Sequence, residues 1–255
     1  MIVSKLRLPS KTRDAAQFVP RQDAQRSWKR YLSRNTVRIH FVIGFSLAVT
    51  AASALADTVT VLGKSLQLLP PDGFCTLGAS PVERELEQFR RQSAAPVGEL
   101  VQLAVPCAEL PAFKARMTDN FTRWVLILVV KQKGQLRLVT MPRLQFVRSV
   151  AGRLAERPPD MNALAERIRD HLAKTGSSVS DPSVQPLGAT SDAAFMEMQM
   201  TVGSGAGKSP VVAVMAITVV NQLPLAVYAY ATPKARGESP GNTVWSYLQK
   251  ALELN

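Results

Sequence analysis

The chain has 255 residues, of which 46% are hydrophobic and 20% charged, a balance typical of globular proteins. Its net charge of +12 would suit a nucleic-acid-binding protein, but residues 1–56 hold ten of the 31 basic residues and two of the 19 acidic ones. Most of the positive excess therefore lies in the first 56 residues. The remaining sequence intersperses its charges, whereas nucleic-acid binding requires a basic cluster, so we expect no nucleic-acid partner.

An apolar run, Phe41–Ala56, contains no charged residue and follows Arg34 and Arg38. It ends in Ala54-Leu55-Ala56, a small-x-small cleavage site, and Asp57 comes next. A basic flank, a short apolar core and small exit residues together indicate a secretory signal peptide, which we place at residues 37–56. The run is shorter than the roughly 20 apolar residues of a spanning helix. We therefore expect cleavage after Ala56, membrane contact only through the signal peptide, and a periplasmic or secreted protein.

Residues 1–36 are polar and rich in arginine, without hydrophobic periodicity, which indicates a disordered basic leader. A chain that starts at Val37 would carry a compact bacterial signal peptide, so the translation start is expected further downstream. Two alternatives stay open. The signal segment could remain uncleaved as an anchor, or the leader could be a transit peptide followed by a lumenal signal in a eukaryotic organelle.

Residues 57–255 are predicted to form a single globular domain, since they contain no long polar linker and no repeat. Short apolar or alternating runs predict most of the strands. The predicted strands are Val59–Leu62, Ser65–Leu69, Leu100–Val105, Trp124–Val130, Gln135–Thr140, Ala194–Val202, Val211–Val220 and Leu223–Ala231. Residues 177–192 are rich in Ser, Asp and Pro and are predicted to be a loop.

Four helices are predicted from capping residues and from apolar stripes at helical spacing. They are Pro81–Ser93, capped by Ser80 and Glu83; a helix after Pro142 with Leu144, Val147, Val150 and Leu154 inward; Pro159–Lys174; and Thr243–Leu254. The predicted fold class is α+β, a mainly antiparallel sheet with helices packed on its faces, because the last two strands are apolar on both sides.

The order of elements resembles the PsbP-like fold of the photosystem oxygen-evolving complex: an opening hairpin that ends in Pro70-Pro71-Asp72-Gly73-Phe74, a helix, an antiparallel sheet and a closing helix. The chain also resembles small exported bacterial proteins of unassigned activity, which share the Pro-Asp-Gly-Phe-Cys opening and the apolar-hairpin ending. Both resemblances imply architecture and location, and neither implies a functional residue.

The segment Gly203-Ser204-Gly205-Ala206-Gly207-Lys208-Ser209 is similar to a phosphate-binding loop, but the spacing is wrong. A P-loop requires glycine at position 202, where the chain has Val202, and a helix must follow, whereas Pro210 and a strand-like run follow here. We expect a hairpin loop. His171 is the single histidine of the predicted domain and lies on a helix beside Asp170, so we expect a surface residue and no catalytic triad. With Cys75 and Cys107 it shows no zinc spacing.

Met196, Met198 and Met200 alternate along one predicted strand. We interpret them as the inward face of that strand, where methionine fills gaps in the core. Thioethers are also soft ligands, so a Cu(I) site on these three residues is the alternative.

Cys75 and Cys107 are the only cysteines, both follow the predicted cleavage site, and export implies an oxidising compartment. Cys75 precedes the Pro81–Ser93 helix and Cys107 follows the Leu100–Val105 strand. The helix travels about 21 Å and the strand returns about 23 Å, so the two ends should meet. We therefore predict a Cys75–Cys107 disulfide.

No catalytic constellation is visible, so a non-catalytic protein is favoured over an enzyme, with that question left open, and no cofactor is expected. The first functional hypothesis is a non-catalytic periplasmic envelope module that binds or stabilises a protein partner. A small-molecule or Cu(I)-binding periplasmic protein is the second, and an unrecognised hydrolase is the third.

Overall fold

An antiparallel sheet forms the centre of the computed structural model, which describes residues 57–118, 120–156, 166, 177–204, 207–235 and 239–255. Its strands are β3 (Phe74–Thr76), β4 (Gly98–Pro106), β5 (Arg123–Gln132), β6 (Gln135–Leu136), β7 (Ser177–Ala189), β8 (Ala194–Ser204), β9 (Gly207–Val220) and β10 (Leu223–Ala231). The spatial order is β3-β4-β5-β10-β9-β8-β7, and β6 pairs only with the end of β5. A separate hairpin of β1 (Asp57–Val61) and β2 (Lys64–Leu68) packs beside it.

The β9–β10 hairpin lies inside this sheet, and its turn explains the register. Asn221 and Gln222 both have positive φ angles, 48° and 66°, as a type I′ turn requires. Val220 consequently pairs with Leu223, and the two apolar strands match along their length. Alternate residues of β9 then point to opposite faces of the sheet, both of which are covered.

Four helices lie among the described residues: α1 (Pro81–Ala94), α2 (Leu110–Lys114), α3 (Arg143–Glu156) and α4 (Pro240–Leu254). Helix α4 and the β1–β2 hairpin pack on one face of the sheet, called here the α4 face. Helix α4 buries Val244, Tyr247, Leu248 and Ala251 there. Helices α1 and α3 pack on the other face, called the α1 face. The described domain is therefore α+β with helices on both faces of the sheet, as predicted.

Helix α1 begins with the capping box that the sequence predicts. The Glu83 N–H donates to Ser80 Oγ at 3.4 Å, and the Glu83 carboxylate accepts from the N–H groups of Gly78 at 2.9 Å and Ser80 at 3.2 Å. Glu83 is only 1% exposed, and its Oε1 lies 3.2 Å from Lys114 Nζ on α2. Burial by itself raises the pKa of Glu83, but these hydrogen bonds outweigh it and the pKa falls below its ordinary value of 4.5.

The predicted disulfide is confirmed. Cys75 and Cys107 are bonded, with 5.0 Å between their Cα atoms. The sequence analysis missed the short strand β3, in which Cys75 pairs with Val105. This pairing keeps the start and the end of the segment that contains α1 and β4 close together. The Cys107 N–H donates to the Gly73 carbonyl at 2.9 Å beside the bond.

The loop predicted at residues 177–192 is wrong over most of its length, because Ser177–Ala189 forms β7. This strand is the edge of the sheet, and its register against β8 shifts between Ser180 and Ser183 and again between Pro186 and Gly188. An edge strand tolerates proline and polar residues because its outer backbone groups face solvent. The Ser, Asp and Pro residues therefore indicate an exposed segment. An exposed edge strand and a loop share this composition, which is why the strand was not predicted.

Two smaller expectations also need correction. The strand predicted at Gln135–Thr140 ends at Leu136, because β10 pairs with β5 from Val129 onward and occupies that edge. In α3, Leu144 is 41% exposed, and Phe146 is buried beside Val147 and Val150 instead.

The predicted leader, signal peptide and Pro159–Lys174 helix, including His171, lie outside the described residues, apart from Glu166. Within the described ranges, no helix is both long enough and apolar enough to cross a membrane.

Candidate functional site

An arginine occupies a core-facing position of α1. Val82 and Leu86 form the apolar stripe of this helix and pack against the sheet. Arg90 follows at the same four-residue spacing, so its side chain points toward the sheet as well. Its guanidinium Cζ lies 5.3 Å from the ring centroid of Trp124 and 5.6 Å from that of Phe89.

Aromatic rings continue from Trp124 across two strands. Trp124 on β5 and Tyr230 on β10 are directly paired, and their rings stack with centroids 4.9 Å apart at an angle of 10°. Tyr228, two residues earlier on β10, stacks on Tyr230 with centroids 6.1 Å apart. Arg90, Trp124, Tyr228 and Tyr230 thus form one cation–aromatic row on the α1 face, which we call the Arg90 site.

Buried nitrogen atoms without hydrogen-bond partners concentrate at this end of the sheet. Among the described residues, three such side-chain atoms occur: Arg90 Nε, Trp124 Nε1 and Arg123 Nε. Arg123 neighbours Trp124 and points to the opposite face, where its guanidinium lies 5.1 Å from the Phe74 ring centroid. Native proteins rarely leave buried donors unpaired, and each one raises the question of what it binds.

A small pocket of about 20 Å³ adjoins the Arg90 guanidinium. Besides Arg90 and Trp124, it is lined by Leu86, Leu103, Val105, Asn120 and Phe121, so none of the described lining residues is acidic. Burial lowers the pKa of Arg90, and the neighbouring Tyr230 partly offsets this. A guanidinium keeps its charge in proteins, so Arg90 stays a cation at neutral pH.

The two tyrosines share this desolvated environment. Burial raises the pKa of Tyr230 to about 12, although the positive charge of Arg90 opposes the shift. Burial also raises the pKa of Tyr228, and Tyr230 adds to the effect. Both phenols are therefore neutral at physiological pH, and neither supplies the negative charge that would balance Arg90.

A second cleft, of about 170 Å³, is lined in part by Asp57, Glu87 and Gln102. Gln102 is buried and accepts a 2.6 Å hydrogen bond from the Tyr247 hydroxyl. Its Nε2 donates weakly to Asp57 Oδ2 at 3.4 Å and to the Leu68 carbonyl at 3.5 Å. This network connects α4, β4 and the β1–β2 hairpin, so its polar atoms already serve the fold.

The three methionines lie on one face of β8, as predicted, but only Met196 is fully in the core, at 5% exposure. Met196 is directly opposite Met215 of β9, and both pack with Ala226. Met198 and Met200 are only half-buried, and Met200 lies just beyond the last β9 residue that pairs with β10. The Cu(I) alternative stays a prediction.

Other predicted sites fall in three groups. The glycine-rich segment closes a hairpin, with Gly203 paired to Lys208 and Ser204 to Gly207, and a strand follows it. Ala54 and Ala56 lie outside the described residues, and Asp57 begins β1 opposite Leu68. Among the described residues, no group of three His, Cys, Asp or Glu side chains is placed to hold a metal ion.

The Arg90 site itself was missed by sequence reasoning. Two signals were present. Arg90 continues the Val82–Leu86 stripe, which places a charge where an apolar residue is expected, and Tyr228-Ala229-Tyr230 puts two aromatic residues on one face of a strand. The cross-strand pairing of Tyr230 with Trp124 could not be read from the sequence.

Comparison with known proteins adds no assignment: no protein-family model matches the chain, and no curated protein matches it significantly.

Proposed function

We propose that the protein is a non-catalytic exported module of the cell envelope that binds a protein partner through the Arg90 site. The observation that carries this proposal is the cation–aromatic row of Arg90, Trp124 and Tyr230 beside an open pocket. Tryptophan, tyrosine and arginine are the residue types that dominate the binding energy of protein interfaces. Such a row therefore has the composition of an interface centre.

Rigidity of the surrounding scaffold supports a binding role. Trp124 and Tyr230 lie on adjacent strands, and the Cys75–Cys107 bond joins β3 to the end of β4 at the same end of the sheet. Side chains held on strands lose little further freedom on binding, so more of the contact energy contributes to affinity.

Export is the second part of the proposal. It is supported by the apolar run at Phe41–Ala56, its Ala54-Leu55-Ala56 ending and the disulfide, since such bonds persist in oxidising compartments. The first described strand begins at Asp57, immediately after the predicted cleavage site. We expect the exported protein to begin Asp57-Thr58-Val59 on N-terminal sequencing. A full-length N-terminus retained in the membrane fraction would contradict periplasmic export.

Affinity capture from the envelope tests the binding role. The exported protein is compared with Arg90→Met and with Arg84→Met, because Arg84 is an exposed arginine on the same helix and has no role in the row. The partner should be recovered with the unaltered protein and with Arg84→Met, but not with Arg90→Met. Equal recovery with all three proteins would place the contact elsewhere, and recovery of no partner would contradict a protein-binding function.

A further inference from the structure

We propose that the Arg90 site takes a carboxylate, supplied by an acidic side chain or the C-terminus of the partner. This inference rests on the proposed function and specifies its chemistry. The starting point is an imbalance of charge: the Arg90 guanidinium lies between α1 and two strands, and none of the described residues that line its pocket is acidic. A buried cation without a counter-charge is costly, and a ligand that brings one relieves that cost.

The donor geometry selects among anions. Arg90 Nε is completely buried and has no hydrogen-bond partner, although the residue as a whole is partly exposed. Nε–H and a neighbouring Nη–H form the planar two-donor edge that carboxylates accept with both oxygens. Because Nε has no exposed surface, a carboxylate reaches this edge only once the side chains that cover it move aside.

The pocket volume agrees with this reading. About 20 Å³ holds little more than one water-sized group. A space of this size admits one carboxylate oxygen at most. A phosphate or sulfate group is tetrahedral and larger, so it is less well suited to this pocket.

One carboxylate of the chain itself has to be considered. Asp119 lies outside the described residues, and it precedes Asn120, which lines the pocket. If Asp119 paired with Arg90, the site would be an internal ion pair with no vacancy for a ligand. Asp119→Asn separates the two possibilities, because it removes an internal counter-charge and leaves an external one unaffected.

The test uses nitrogen NMR of the exported protein, in which the Arg90 Nε–H resonance is assigned by its loss in Arg90→Lys. The probes are sodium acetate, sodium phosphate, sodium chloride, N-acetyl-alanine, N-acetyl-glutamate amide and N-acetyl-alanine amide, each at constant ionic strength. N-acetyl-alanine represents a C-terminus, the glutamate amide represents an acidic side chain, and the alanine amide is the uncharged control. Arg123 Nε–H serves as an internal control, because it is also buried and unpaired but faces the other side of the sheet.

We expect the carboxylate probes, and not the amide control or chloride, to move the Arg90 resonance in a saturable way while Arg123 stays unchanged. In Arg90→Lys, acetate binding is followed through the Trp124 Nε1–H resonance of the same pocket and should weaken about tenfold or more, since lysine lacks the planar fork. The stronger of the two amino-acid probes identifies the source of the carboxylate.

Absence of a saturable response, or a larger response to phosphate than to acetate, would overturn the carboxylate assignment. So would acetate binding that appears only in Asp119→Asn. The proposed function is tested separately, by partner capture. Capture that depends on Arg90 would support it even if small carboxylates do not bind.

Discussion

The guanidinium of Arg90 lies 5.3 Å from the centre of the Trp124 ring, which itself stacks on Tyr230. Arg91, the next residue, is arranged quite differently. Its Nη2 pairs with Glu87 at 2.6 Å and its Nη1 donates to the Leu100 carbonyl at 2.6 Å. Two adjacent arginines thus have opposite environments, one without a counter-charge among the residues described around it and one fully engaged.

This contrast predicts opposite effects on stability. Arg90→Met should raise the free energy of unfolding by about 1 kcal/mol, because an apolar chain of similar length replaces a buried unpaired charge. Arg91→Met should lower it by about 1 kcal/mol through the loss of its hydrogen bonds. Urea unfolding of both variants measures the difference. A clear loss of stability in Arg90→Met would mean that the ring contacts or an internal counter-charge already stabilise the guanidinium, and it would contradict the claim of a costly unpaired charge.

The Cys75–Cys107 bond is expected to contribute about 3–4 kcal/mol, since it closes a loop across 32 positions of the sequence. The double variant Cys75→Ser, Cys107→Ser should show this loss in denaturant unfolding of the exported protein. Alkylation without reductant, followed by mass spectrometry, should find no free thiol. Two reactive thiols in protein taken from the periplasm would remove this bond from the native state.

Glu83 makes stability depend on pH. Its folded pKa lies below the unfolded value of 4.5, so its ionised form stabilises the fold above that pH and the contribution is lost as the pH falls through the folded pKa. Glu83→Gln should cost about 1–3 kcal/mol at neutral pH, since it replaces a buried acceptor of several hydrogen bonds. It should also flatten the decline of stability below pH 4.5.

Glu85→Gln is the matched control for this prediction, because Glu85 is an exposed residue of the same helix. It should leave both the neutral-pH stability and the acid decline unchanged. An identical pH profile for Glu83→Gln and the unaltered protein would show that another group causes the acid dependence.

Substitutions of the β8 methionines distinguish a packing role from metal binding. Met196→Ala should lower stability by about 2–5 kcal/mol, because Met196 is buried against Met215. Met198→Ala should cost less, because that side chain is only half-buried. If the three methionines bind Cu(I), a competition titration with a Cu(I) chelator will detect it, and Met198→Ala will abolish that binding with little change in metal-free stability.

Sequence patterns predicted what depends on local chemistry. The Ser80–Glu83 capping box, the apolar β9 and β10 strands and the α4 stripe are all decided by neighbours within a few residues. The disulfide could also be predicted, because a helix followed by a strand that runs back brings the two ends of that segment close together. In each case, short-range spacing determines the structure.

Pairing between strands that are far apart in the chain determined the parts of the fold and of the site that were not predicted. The Ser177–Ala189 segment is a strand only because β8 lies beside it, and Gln135–Leu136 stops early only because β10 occupies the edge of β5. The Arg90 site combines α1, β5 and β10, which are far apart in the chain. Its members were visible as residues, but their meeting depends on the sheet order.

Calorimetric titration of the purified captured partner into the exported protein tests the proposed binding role most directly. The comparison is between the unaltered protein, Arg84→Met and Arg90→Met, with each fold first verified by circular dichroism. The account predicts equal affinity for the first two and a loss of about 2 kcal/mol or more for Arg90→Met, as expected for the centre of an interface. Equal affinity for all three proteins would contradict the claim that Arg90 and its aromatic row form the binding site.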